Sequence, residues 1–96
     1  GSLKHAVIRF ADAPDGTTLE GPYEIVSLVG TISRHGTHLH ISLSDSEGNL
    51  VGGHLLNGSS IHTTAEIVLG LIGGIAFKRK HDPRTGYKEL SIEPKD

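Results

Sequence analysis

The stretch from Thr37 to Ser44 alternates without interruption, with Leu39, Ile41 and Leu43 on one side and His38, His40, Ser42 and Ser44 on the other. Successive strand residues point to opposite faces, so this pattern specifies a half-buried β-strand; wound as a helix it would scatter the apolar residues around the axis. Period-two patterning recurs along the chain and no stretch carries a 3.6-residue apolar stripe, which predicts a mainly antiparallel β sheet with little helix. Leu, Ile and Val must supply nearly the whole core, because the 96 residues include two Tyr, two Phe and no Trp, Met or Cys. A single domain of this size, residues 1–96, buries only about 60–65% of the surface of its unfolded chain, so association with other copies is expected.

The remaining elements follow from turn chemistry. Lys4 to Ala11 is a first strand, stopped by Ala13-Pro14-Asp15-Gly16, and Tyr23 to Ile32 a second, entered through Gly21-Pro22. "LVGGHLL" follows the turn "DSEGN", and Asn57-Gly58 signals a further hairpin. The run Ile61 to Ile72 is mostly apolar and β-branched and predicts a strand buried on both faces, with a helix as the lesser alternative. "AFKRKHDPRTGYKELSI" predicts a hairpin turning at Asp82 to Gly86.

The absence of cysteine excludes disulfides and thiolate metal sites and leaves imidazole and carboxylate as metal donors. A net charge of −2 argues against a whole-domain grip on phosphate backbones. No stretch approaches the ~20 apolar residues of a membrane helix and no leader is evident, so the expectation is a soluble intracellular chain, cytoplasmic, with a nuclear location also open to it in a eukaryote.

Four of the seven histidines lie between His35 and His54. His38 and His40, two apart on a strand, share a face. If Ser46-Glu47-Gly48 is a three-residue hairpin loop with Gly48 in the left-handed position, His40 faces His54, while Leu43 faces Val51 and Leu39 faces Leu55 on the apolar side. A loop of two or four residues would turn His54 onto the leucine face. The apolar pattern and the histidines therefore select one register independently. Opposed Cβ atoms lie roughly 4.5–5.5 Å apart and diagonal ones roughly 7–8 Å, within reach of a common ion. Three neutral imidazoles with an open fourth position suit a divalent metal, zinc first, with iron, nickel or manganese chemically admissible.

Gly52 and Gly53 would leave room on this sheet for a ligand or another backbone, and Glu66 is the candidate carboxylate to accept from an imidazole N–H. His5, His35, His62 and His81 are expected to be ordinary surface or turn residues. "HLHISLSD" and Gly52 match the cupin metal signature only in part, because the leading glycine is displaced, Asp45 stands where Glu is expected, and no second motif follows.

"GPYEIVSLVGTIS", "HLHISLSDSEGNLVGGHLL" and "TTAEIVLG" together resemble the plant-and-prokaryote-conserved (PPC) domain family over nearly the whole chain. The resemblance implies an α+β family fold on an antiparallel sheet, a homotrimer, and a metal site at His38, His40 and His54 of the type found in stand-alone members. Plant members carry AT-hooks and associate with DNA; no Arg-Gly-Arg-Pro hook is present here. Relatives begin with a further strand and helix, and "SLKHAVIRFAD" is similar to the segment after them, so about the first third of the family domain is expected to be absent.

Three functions compete. One is a trimeric binding or regulatory module with a structural or sensory metal, associated with DNA through partners. Another is a metal-dependent enzyme on a small molecule, with Glu66 or His62 as acid/base. The third is direct DNA binding through Lys78, Arg79, Lys80 and Arg84 of "FKRKHDPR".

Overall fold

The computed structural model describes residues 1–95. Seven strands form in chain order: β1 (Ser2–Arg9), β2 (Thr17–Ser33), β3 (Gly36–Ser44), β4 (Leu50–Leu55), β5 (Ser60–Ile61), β6 (Ile75–His81) and β7 (Lys88–Pro94). The mainly antiparallel β expectation is met, and no helix forms among the described residues. Two compact units result, one of Gly1–Gly30 with His38–Ile67, the other of Thr31–Thr37 with the segment from Val68 onward.

The first unit holds the buried core. Its sheet runs β2-β3-β4-β1-β5, and a further β1–β2 pairing joins the ends of the β2-β3-β4-β1 series, so the pairings form a closed circuit. Leu3, Ala6 and Ile8 of β1 and Ile41 and Leu43 of β3 are buried, with Phe10, Leu19, Tyr23, Ile25, Leu28, Val51 and Leu55 packed against them. The alternation read from the sequence is what makes this possible, since it delivers every second side chain of β1 and β3 to one side. A bulge interrupts β1 between Leu3 and His5, opposite Gly21-Pro22 of β2. Proline has no N–H to give to the ladder, and a Cβ on Gly21 would lie 2.7 Å from the Lys4 carbonyl oxygen, so the irregularity sits where the sequence can accommodate it.

Two expectations are corrected. Asn57-Gly58 does form a turn, with Gly58 at φ +104°, but it does not join a hairpin. β4 and β5 both pair antiparallel with β1, through Ile8↔Leu55 and His5↔Ser60, so they run one after the other along the same partner. Side chains bridge the gap in the ladder: His5 Nε2 bonds the Gly58 carbonyl at 2.8 Å, and the Val7 N–H donates to Ser59 Oγ at 2.9 Å. The second correction concerns Ile61 to Ile72. Only Ser60–Ile61 is strand, and the large apolar residues beyond it are exposed, Val68 at 98% and Leu71 at 97%. An apolar run forms a buried strand only where a sheet edge and a covering layer receive it; the edge of β1 takes this segment only as far as Thr64, through the Ser2 N–H to the Thr64 carbonyl and the His62 N–H to the Ser2 carbonyl, and among the described residues the large apolar side chains after it are left exposed.

In the second unit β6 and β7 pair over their full length, from Ile75↔Pro94 to His81↔Lys88, and the turn follows Asp82, as the sequence predicts. Asp82 fixes that turn by accepting from the Arg84 backbone N–H at 2.9 Å and from its guanidinium at 2.9 Å.

Candidate metal centre

The hairpin of β3 and β4 is built in the predicted register. His40 pairs with His54, Ile41 with Gly53 and Leu43 with Val51. The loop that sets this register closes as the three-residue form requires: the Asp45 N–H donates to the Asn49 carbonyl at 3.0 Å, the Gly48 N–H to the Asp45 carbonyl at 3.1 Å, and Gly48 takes φ +84°. Asp45 organises the turn, its Oδ1 accepting from the N–H groups of Glu47 and Asn49 at 2.9 Å each. These bonds, that from Asn49 foremost, hold its carboxyl below the usual aspartate range.

On the polar face of this hairpin His38, His40 and His54 converge. Ring centroids stand 5.2 Å apart for His38 and His40, 4.9 Å for His38 and His54, and 5.5 Å for His40 and His54. One ring nitrogen from each lies within 4.8 Å of the others. A tetrahedral ion with Zn–N bonds of about 2.0–2.1 Å spaces its ligand nitrogens by about 3.3–3.4 Å, so small side-chain rotations would close the set. The residues fit a borderline ion that favours imidazole. His40 is exposed, His38 and His54 are half-buried, and His54 Nδ1 is shielded from solvent, leaving the cluster approachable from one side.

Gly52 and Gly53 answer to neighbouring strands. A Cβ on Gly53 would lie 2.7 Å from the Arg9 carbonyl oxygen and 2.8 Å from Ile8 Cγ2, and one on Gly52 would collide with the Ile41 carbonyl. Of the two uses the sequence left open for these glycines, the structure displays the approach of another backbone. That close packing holds β4 between β1 and β3 and so holds His54 across from His40.

Glu66 is exposed and does not join the cluster. His62 is exposed, its backbone N–H donating to the Ser2 carbonyl at 2.9 Å. His5 belongs to the β1 framework described above, bonding Ser60 Oγ through Nδ1 at 3.1 Å. His35 Nδ1 accepts from the Arg79 N–H at 3.4 Å, and His81 is exposed at the end of β6. One neighbour of the cluster was not anticipated: Arg9 pairs with His54 across β1 and β4. The alternation Ala6, Ile8, Phe10 against His5, Val7, Arg9 gives its face, but its partner depends on a pairing between segments 45 residues apart, which local patterning does not reveal.

The basic cluster is engaged within the second unit. Lys80 and Lys78 reach the Glu93 carboxylate at 2.8 and 3.9 Å, Arg84 reaches Asp82 at 2.9 Å, and the Arg79 guanidinium donates to Thr31 Oγ1 at 2.7 Å.

The chain matches the Plants and Prokaryotes Conserved (PCC) domain over residues 1–73. It is 45% identical over 94 residues to the bifunctional protein GlmU of Synechococcus sp. (strain JA-2-3B'a(2-13)), an alignment covering 98% of this chain and 15% of that protein. The GlmU of Synechococcus sp. (strain JA-3-3Ab) is likewise 45% identical over 93 residues, with 97% and 15% covered. The chain therefore spans about 15% of the length of these curated relatives. Among solved structures, a hypothetical protein from Salmonella cholerae-suis (Salmonella enterica) superimposes with a TM-score of 0.96 at 38% identity, over all of this chain and 70% of that one. A protein from Bacteroides thetaiotaomicron called a "putative dna binding protein" gives a TM-score of 0.64 at 24% identity, over 95% of this chain and 67% of that one, a likeness of fold.

Proposed function

The chain belongs to the Plants and Prokaryotes Conserved (PCC) domain family, and from that premise we propose that it is a homotrimeric binding and regulatory module in which His38, His40 and His54 hold one divalent ion. The observation that carries this reading is the convergence of three imidazoles on one face of a hairpin whose register the apolar face fixes separately. Zinc is the first choice because three neutral nitrogen donors and an open position suit its four-coordinate chemistry. A bound ion would supply a Lewis-acid position there. The side chains of β3 and β4 would supply orientation.

Self-association draws support from the exposure of Val68, Leu69, Leu71 and Ile72, a run of large apolar side chains that solvent does not favour. DNA association is assigned to the assembled module or its protein partners. A Bacteroides protein of this fold bears a DNA-binding name, but the basic residues of β6 are engaged by Glu93 and Thr31. The alternative, a metal-dependent enzyme acting on a small molecule, uses the same three histidines and ranks second because Glu66 and His62 stand outside the cluster. Metal analysis of the purified chain, without added chelator, tests the proposal: one divalent ion per chain supports it, and a folded chain that takes up none from a slight excess of zinc refutes it.

A further inference from the structure

β1 delivers Arg9 to the histidine cluster. Through Arg9↔His54 and His40↔His54 the three residues occupy consecutive strands of the sheet on one face, while Ile8 and Leu55, the adjoining pair, turn to the core side. Opposed Cβ atoms stand roughly 4.5–5.5 Å apart, and an arginine stem is long enough to carry its guanidinium over the neighbouring imidazole. Arg9 is half-buried, and the ion pairs among the described residues engage Lys78, Lys80 and Arg84 rather than Arg9.

The donor set makes the charge balance informative. Three neutral imidazoles leave the full charge of a divalent ion uncompensated, and no carboxylate belongs to the cluster among the described residues. Arg9 adds a further positive charge on the same face. Such a site repels cations and is completed by an anion, which would satisfy the open position and the guanidinium together.

We propose that Arg9 and the three-histidine centre form a binding site for a small oxyanion, a carboxylate or a phosphate. Arg9 is the selectivity element, since its planar fork matches two charged oxygens and discriminates against a neutral ligand of the same shape. The inference rests on the metal reading above and deepens it.

Cobalt(II) substitution separates the two. The visible absorption of the Co²⁺-loaded chain is followed while acetate, inorganic phosphate or neutral acetamide is added, for the wild type, Arg9→Ala and Arg9→Lys. All three chains are expected to take up one equivalent of Co²⁺. Acetate, phosphate or both should then alter the wild-type spectrum saturably, acetamide should not, and Arg9→Ala should bind the responding anion roughly ten- to hundredfold more weakly, with Arg9→Lys between. Circular dichroism and Co²⁺ uptake confirm that each variant is folded. Equal anion midpoints in wild type and Arg9→Ala, a response to acetamide equal to that to acetate, or no anion response overturns the oxyanion site while leaving the metal centre standing. A wild-type chain that takes up no Co²⁺ overturns both.

Discussion

Replacing Gly53 by alanine would place a Cβ 2.7 Å from the Arg9 carbonyl oxygen and 2.8 Å from Ile8 Cγ2, where ordinary contact begins at 3.4 Å. Both obstacles belong to β1, one of them backbone and the other a fully buried side chain, so neither can turn aside. Relief requires β4 to retreat from β1 by roughly 0.6 Å, a gap that forfeits a quarter to a half of the dispersion attraction along the contact. Overpacking of this kind costs about 1–3 kcal/mol. With a urea slope of about 1–3 kcal/mol/M, the unfolding midpoint should fall by about 1 M. Gly73→Ala is the control, because nothing lies within 4 Å of its added Cβ, and it should stay within about 0.5 kcal/mol of wild type. Since His54 follows Gly53 in β4, the same retreat should also weaken metal uptake. Equal midpoints for the two variants at matched protein concentration would refute the argument that Gly53 is retained for the close approach of β1.

Further predictions concern the surface. The ammonium of Lys80, 2.8 Å from Glu93, holds that carboxyl below the usual glutamate range, with Lys78 contributing. Because the folded pKa is the lower one, the stabilising contribution is complete above the unfolded pKa and disappears as pH falls through the folded one; carbon-detected NMR should give a depressed Glu93 midpoint that rises in Lys80→Ala, and an unchanged midpoint contradicts the pairing. Neutralising Lys78, Arg79 and Lys80 together should leave fold and metal content intact, since exposed charges contribute little; a sequence-specific DNA complex formed by the wild-type protein and lost in the triple variant would make the basic hairpin the DNA-reading element. Light scattering should give three times the 10.2 kDa chain mass, and Val68→Asp with Leu71→Asp should lower it; a well-folded monomer at micromolar concentration, or a trimer indifferent to both charges, counts against that face as the interface.

The hairpin carrying the histidines was legible because two local facts agreed: a glycine-ended loop of defined length and an apolar alternation that tolerates only one register. Strand β2 was longer than its apolar segment suggested, since Thr17 to Glu20 pair with β1 although their composition is mixed. The Asn57-Gly58 turn shows the limit of dipeptide signals. The turn formed, but whether the strands flanking it pair with each other or in succession with β1 is decided by the ladder groups β1 leaves open. Ile61 to Ile72 departs from the buried strand its composition suggests for a related reason, because apolar composition indicates a preference for burial and not the presence of a partner in the same chain. Arg9 was invisible at the site because its place beside His54 follows from long-range pairing alone.

Zinc binding to the wild-type chain, His40→Ala and His81→Ala, followed by competition with a chromophoric chelator, tests the metal centre most directly. His40 offers one of three convergent nitrogens, whereas His81 lies at the exposed end of β6. One zinc per chain is expected for wild type and His81→Ala with equal affinity, and a large loss of affinity in His40→Ala that circular dichroism does not trace to unfolding. Retention of zinc by a folded His40→Ala chain at wild-type affinity would contradict this expectation.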